Sequence, residues 1–166
     1  MDVRRLKEKL TNKLNQTFIN DEIQTDFGVG LFIVTRKQYT IRIVIRNEEL
    51  SYSFKLNRPI NNLVIGFGRE YEILPHASKS EMEDLYRCIQ EDIYSLLRNI
   101  ATDEIYAGYD DKAVYIAYEQ GARASYLLRK FKKIIIFGVS VEEKPVDESV
   151  VKGLGLKPLS SFEKER

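Results

Sequence analysis

The chain has 166 residues, of which 43% are hydrophobic and 31% charged, with one cysteine, one histidine and a net charge of +1. That size and balance exclude global disorder and suit one globular domain able to bury a core without cross-links. The single Cys88 excludes an internal disulfide framework and a multi-cysteine zinc cluster, and the single His76 argues against a histidine-rich metal site.

No apolar run reaches the roughly 18–20 residues that a membrane helix requires. Residues Met1–Lys7 lack the continuous apolar stretch of a secretory signal, so a soluble cytoplasmic protein with no membrane partner is expected. Charge is unevenly placed. Residues 1–15 are basic and residues 70–104 acidic, while 120–134 carry Arg123, Arg129, Lys130, Lys132 and Lys133 with no acid. Such polarity can steer a charged partner.

Val3, Leu6, Leu10, Leu14 and Phe18 recur at helical spacing and predict an amphipathic helix over 2–19. Val29–Thr35 reads as a strand covered on both faces. Residues 39–46 and 51–57 alternate, with Tyr39, Ile41, Ile43, Ile45, Tyr52, Phe54 and Leu56 inward, and complete a three-stranded meander. Leu63–Phe67 is a short apolar strand. Ser80 and Glu83 have capping-box spacing at the start of a helix, whose buried stripe runs from Met82 through Leu85, Ile89, Ile93, Leu96 and Leu97 to Ile100. Strands follow at about 104–109 and 112–119, joined at Asp110-Asp111. A third helix is predicted over 120–131, with Ala124, Leu127, Leu128 and Phe131 inward. Ile134–Val141 reads as a last, central strand. Beyond Pro145 the scattered apolar residues suggest a docked tail.

Together these elements describe one α+β domain over 1–166. Its sheet is mainly antiparallel, a meander plus a hairpin and a final central strand, with about three helices packed on it.

Motifs with chemistry are few. Gly66-Phe67-Gly68 follows a strand but completes no phosphate-loop pattern. Glu142-Glu143-Lys144 has the acid-x-Lys form of a divalent-metal nuclease strand, with Asp110 and Asp111 as the nearest further acids. His76 has no Ser or Cys in a nucleophile context beside it. Cys88 falls on the buried side of its helix and reads as an inert thiol. Catalytic residues therefore remain unassigned, and neither a cofactor nor a bound metal is expected.

Two surfaces could bind. With a two-residue loop at Asp110-Asp111, Tyr106 opposes Tyr115 on a face flanked by Gly108, Ala113 and Ala117, where small neighbours leave room beside the rings. The predicted third helix presents Arg123, Tyr126 and Lys130 outward, as phosphate contacts and a stacking ring would require. The leading expectation is a non-catalytic interaction module of the immunity, antitoxin, inhibitor or adaptor kind that binds a partner protein, with Tyr106, Tyr115, Tyr126, Arg123 and Lys130 at its contact surface. Nucleic-acid binding through the basic 120–133 segment is the alternative, and a divalent-metal nuclease the second alternative.

Overall fold

A computed structural model describes residues 1–121, 125–134 and 138–163. The fold is α+β, and the described residues form three α-helices and two antiparallel sheets of five strands each. The chain divides into two compact units, residues Met1–Asn57 with Gly66–Tyr94, and Arg58–Ile65 with Ser95 onward.

In the first unit, helix α1 spans Val3–Thr17 and is started by Asp2, whose carboxylate accepts from Arg5 N at 2.8 Å. Its apolar stripe is closed to solvent at Leu6, Leu10 and Leu14. The sheet is a meander in chain order: β1 (Ile23–Asp26), β2 (Leu31–Thr35), β3 (Tyr39–Ile45), β4 (Leu50–Leu56) and β5 (Gly66–Tyr71). Register places Ile41 opposite Phe54 and Phe54 opposite Phe67, and it places Ile43 opposite Tyr52. Alternation therefore delivers the expected buried face, with Phe54 stacked between Tyr39 and Phe67 at centroid distances of 4.9 Å. Gly30 is required where the chain enters β2. Its φ is +75°, and a Cβ there would lie 1.9 Å from Ile45 O.

Helix α2 runs over Lys79–Ala101, in the first unit to Tyr94 and in the second from Ser95. Its cap lies two residues before the expected one. Glu81 N donates to Ser78 Oγ at 3.1 Å, while Ser78 N donates to the Glu81 carboxylate at 3.5 Å. Ile89, Ile93, Leu96 and Leu97 are buried as the stripe predicts. Cys88 is exposed, because the inward side of that turn is filled by Tyr86 and Ile89.

The second unit holds β6 (Tyr106–Tyr109), β7 (Val114–Gln120), β8 (Ser125–Lys133), β9 (Val139–Val146), helix α3 (Glu148–Gly153) and the two-residue β10 (Lys157–Pro158). Its sheet order is β10-β6-β7-β8-β9. Asn99 of α2 donates to Ser95 O and to Glu119 O, each at 2.7 Å, and Ser95 Oγ accepts from Gly121 N. These bonds satisfy two buried polar side chains and fix the end of α2 to the end of β7.

Three further expectations change. Residues 125–133 are strand rather than helix, because β8 lies between two partners and has apolar residues on both faces. Of the strand expected over Ile134–Val141, residues 135–137 lie outside the described residues, and the part that falls in β9 is at the sheet's edge rather than its centre. The strand expected over Leu63–Phe67 starts at Gly66, with Leu63 held instead in an isolated bridge to Ile60. Among the described residues no helix is long and apolar enough to cross a membrane.

Candidate partner-binding site

The strands of the second sheet bring four of the five expected contact residues to one face. Tyr106 of β6 stands opposite Ala117 of β7, which stands opposite Leu128 of β8. Tyr115 stands between Gly108 and Lys130, and Tyr126 lies between Glu119 and Val146. Side chains alternate along each strand, so Tyr106, Tyr115, Tyr126 and Lys130 share that face. Arg123 lies outside the described residues.

The expected pairing of Tyr106 with Tyr115 does not form. The Asp110 carboxylate accepts from Lys112 N, Ala113 N and Tyr115 OH at 2.8, 2.9 and 3.0 Å, and Asp110 N donates to Ala113 O. This Asx-type loop makes the connection longer and moves the pairing by two residues. A two-residue shift preserves the face, so the tyrosines stay together. The same hydrogen bonds, led by the two backbone amides, hold the Asp110 carboxyl below its ordinary range.

Helix α3 covers the middle of this face. Val151 is buried with Ala113, Tyr115, Ala117 and Leu128, while Tyr106, Tyr126, Val146 and Leu156 pack at the margin. The small residues make room for this tail. A Cβ on Gly108 would lie 2.7 Å from Leu156 Cδ2. Tyr115 is only 7% exposed and belongs to the core. Tyr106 and Tyr126 stay half-buried, their rings tilted at 54° with centroids 6.3 Å apart.

Carboxylates surround this pair. Burial first, then Glu104, Glu148 and Asp103, push the Tyr106 phenol above its ordinary value. For Tyr126 the causes are burial, then Glu148, Tyr106, Glu119 and Glu104. Glu148 is joined to Lys152 across one turn of α3 at 3.4 Å. These acids were not singled out from the sequence. Asp147-Glu148-Ser149 ahead of Val150-Val151 has the composition of a helix start, and it would have placed Glu148 at the first turn. Asp147 does cap α3, accepting from Ser149 N and Val150 N.

Lys130 points to the same face, its Nζ 5.9 Å from the Tyr115 centroid and its strand position opposite Glu142. Arg129, on the other face of β8, is 2% exposed and donates to the Glu143 carboxylate at 2.9 Å. A basic helix carrying Arg123, Tyr126 and Lys130 along one side is thus absent from residues 125–133.

The Glu142-Glu143-Lys144 triplet lies on β9, with Glu143 engaged by Arg129 and Asp110 engaged by its own loop. Among the described residues no group of three or more His, Cys, Asp or Glu could hold a metal ion. His76 is exposed in a turn with φ +61°. In the first unit an open cleft beside α1 is lined by Lys7, Val29, Arg46 and Glu48, and Arg46 Nε donates to Val29 O at 3.0 Å.

No family model matches the chain, and neither a curated protein nor a solved structure does.

Proposed function

We propose that this chain acts in the cytoplasm by binding a partner protein, and that Tyr106 and Tyr126 with the carboxylates beside them form its contact surface. The observation that carries the reading is the tilted, half-exposed tyrosine pair set among Glu104, Glu119 and Glu148. Rings of this kind supply large contact area at low entropy cost, and their hydroxyls can still bond to a partner. Carboxylates at the rim favour an Arg or Lys side chain, whose cation can also sit over a ring face. A phosphate backbone would meet the same carboxylates with repulsion, which favours a protein over a nucleic acid at this surface.

Affinity capture from cell extract, with mass spectrometry of protein and sequencing of nucleic acid, tests the reading. The wild type is compared with Tyr126→Ser, with Glu148→Lys and with Arg42→Glu, an exposed change on the other sheet. One protein should be retained by the wild type and by Arg42→Glu, and lost from both variants of the tyrosine surface. Equal retention by all four, or retention abolished by nuclease, contradicts it.

A further inference from the structure

Strand β9 is the outer edge of the second sheet, and Val141, Glu142, Glu143, Lys144 and Pro145 are all exposed along it. An open edge of this length is a template for another strand. We propose that it pairs antiparallel with β9 of a second copy of this chain, about a twofold axis through Glu143. The inference rests on β9 and is independent of the tyrosine surface.

Charge and register carry the argument. A twofold perpendicular to the sheet continues each face into the same face of the second copy, so paired residues must have the same parity and the axis must pass through a residue. Centred on Glu142 or Lys144, the pairing sets identical charges opposite one another on the Lys130 face. Centred on Glu143, it sets Glu142 opposite Lys144 of the second copy, twice. On that face each row then alternates in sign, from Lys130 to Glu142 to the second Lys144, since Lys130 already stands opposite Glu142 within the chain. Val141, an exposed apolar residue, is placed opposite Pro145 of the second copy.

The two Glu143 residues face each other across the axis, a like-charge contact that costs stability. Each is held by its own Arg129, which supplies the compensating charge at 2.9 Å. Charged edges repel unrelated strands, and Pro145 offers no N–H to extend the ladder. The pattern on β9 thus disfavours indiscriminate association while matching itself in one register.

Sedimentation velocity over a concentration series tests the proposal, using the wild type, Glu142→Lys, Lys144→Glu and an equimolar mixture of the two variants. Circular dichroism confirms that each is folded. The wild type should dimerise with rising concentration. Each variant alone replaces two attractive pairs by two repulsive ones and should dimerise on the order of tenfold or more weakly. The mixture restores both opposite-charge pairs and should dimerise again. Hydrogen exchange on the wild type gives a readout without substitution, since amides of 139–146 should become more protected as concentration rises. A wild type monomeric up to its solubility limit overturns the proposal. So do variants that dimerise like the wild type, a mixture that stays monomeric, or exchange in 139–146 that ignores concentration.

Discussion

Arg129 is buried on β8 while its partner Glu143, 2.9 Å away on edge strand β9, is 46% exposed at its side chain. The arginine also lies over the Tyr118 ring at 5.3 Å. A guanidinium taken out of water needs such charge-assisted and aromatic contacts, and here they tie the sheet's edge to its interior.

Loss of that hydrogen bond should weaken the second unit. Glu143→Ala is expected to destabilise by about 1.5–3 kcal/mol in chemical denaturation, the range for a bond to a charged group. Glu142→Ala, an exposed change one residue away on the same strand, should change the stability of the single chain little.

In the first unit Ile43 is wholly buried between Phe32 and Tyr52 in the strand ladder. Ile43→Ala should cost roughly 2–5 kcal/mol, through lost transfer energy and the cavity left behind. Urea unfolding at fixed pH measures it.

Alkaline pH should destabilise the fold from about pH 10 upward. Burial first, then the hydrogen bond that Tyr71 donates to Asp92, hold the Tyr71 phenol well above its ordinary value of 10.0. Its stabilising contribution is complete below pH 10. As pH rises further, the unfolded phenol ionises while the folded one keeps its proton, so stability falls by about 1.4 kcal/mol per pH unit for this group. Tyr71→Phe should lower stability at pH 7 yet flatten that alkaline slope, as melting curves from pH 8 to 11 would record.

Asp147 caps α3, and its carboxyl is held below the ordinary range by hydrogen bonds from the Ser149 hydroxyl and the Val150 and Ser149 amides. A lowered value means that this contribution is present above the unfolded pKa of about 3.9 and lost as pH falls. Asp147→Ala should loosen α3 at neutral pH and expose Tyr115 and Leu128, read as faster hydrogen exchange over 148–154 with the first unit unchanged.

The legible parts of the fold were those whose two faces differ. Ile41, Ile43 and Ile45 alternate with Thr40 and Arg42, and α1 repeats Leu6, Leu10 and Leu14 at helical spacing, so both were readable from pattern alone. Strand β8 was not. Leu128 faces α3 while Phe131 is buried on the opposite face, so the period-two signal vanishes and Leu127, Leu128 and Phe131 imitate a helical stripe. Arg129 strengthens the imitation, because a charged residue ordinarily marks a solvent face, yet this one is buried.

At the candidate site, the shared face of Tyr106 and Tyr115 survived a wrong hairpin register because the error was two residues rather than one. What covers that face was not readable, since α3 is only six residues long and too short to show a period. The acids around Tyr126 come from β7, α3 and the segment before β6, and only the folded sheet brings them together.

The central claim is that a protein docks on the Tyr106–Tyr126 surface. A photo-crosslinking phenylalanine analogue placed at position 126 in the otherwise wild-type chain, and at position 42 as a control, tests it inside cells. The expectation is one discrete protein adduct from position 126, absent from position 42 and lost when Glu148→Lys is added. No protein adduct at position 126, or an adduct that proves to be nucleic acid, would contradict the account.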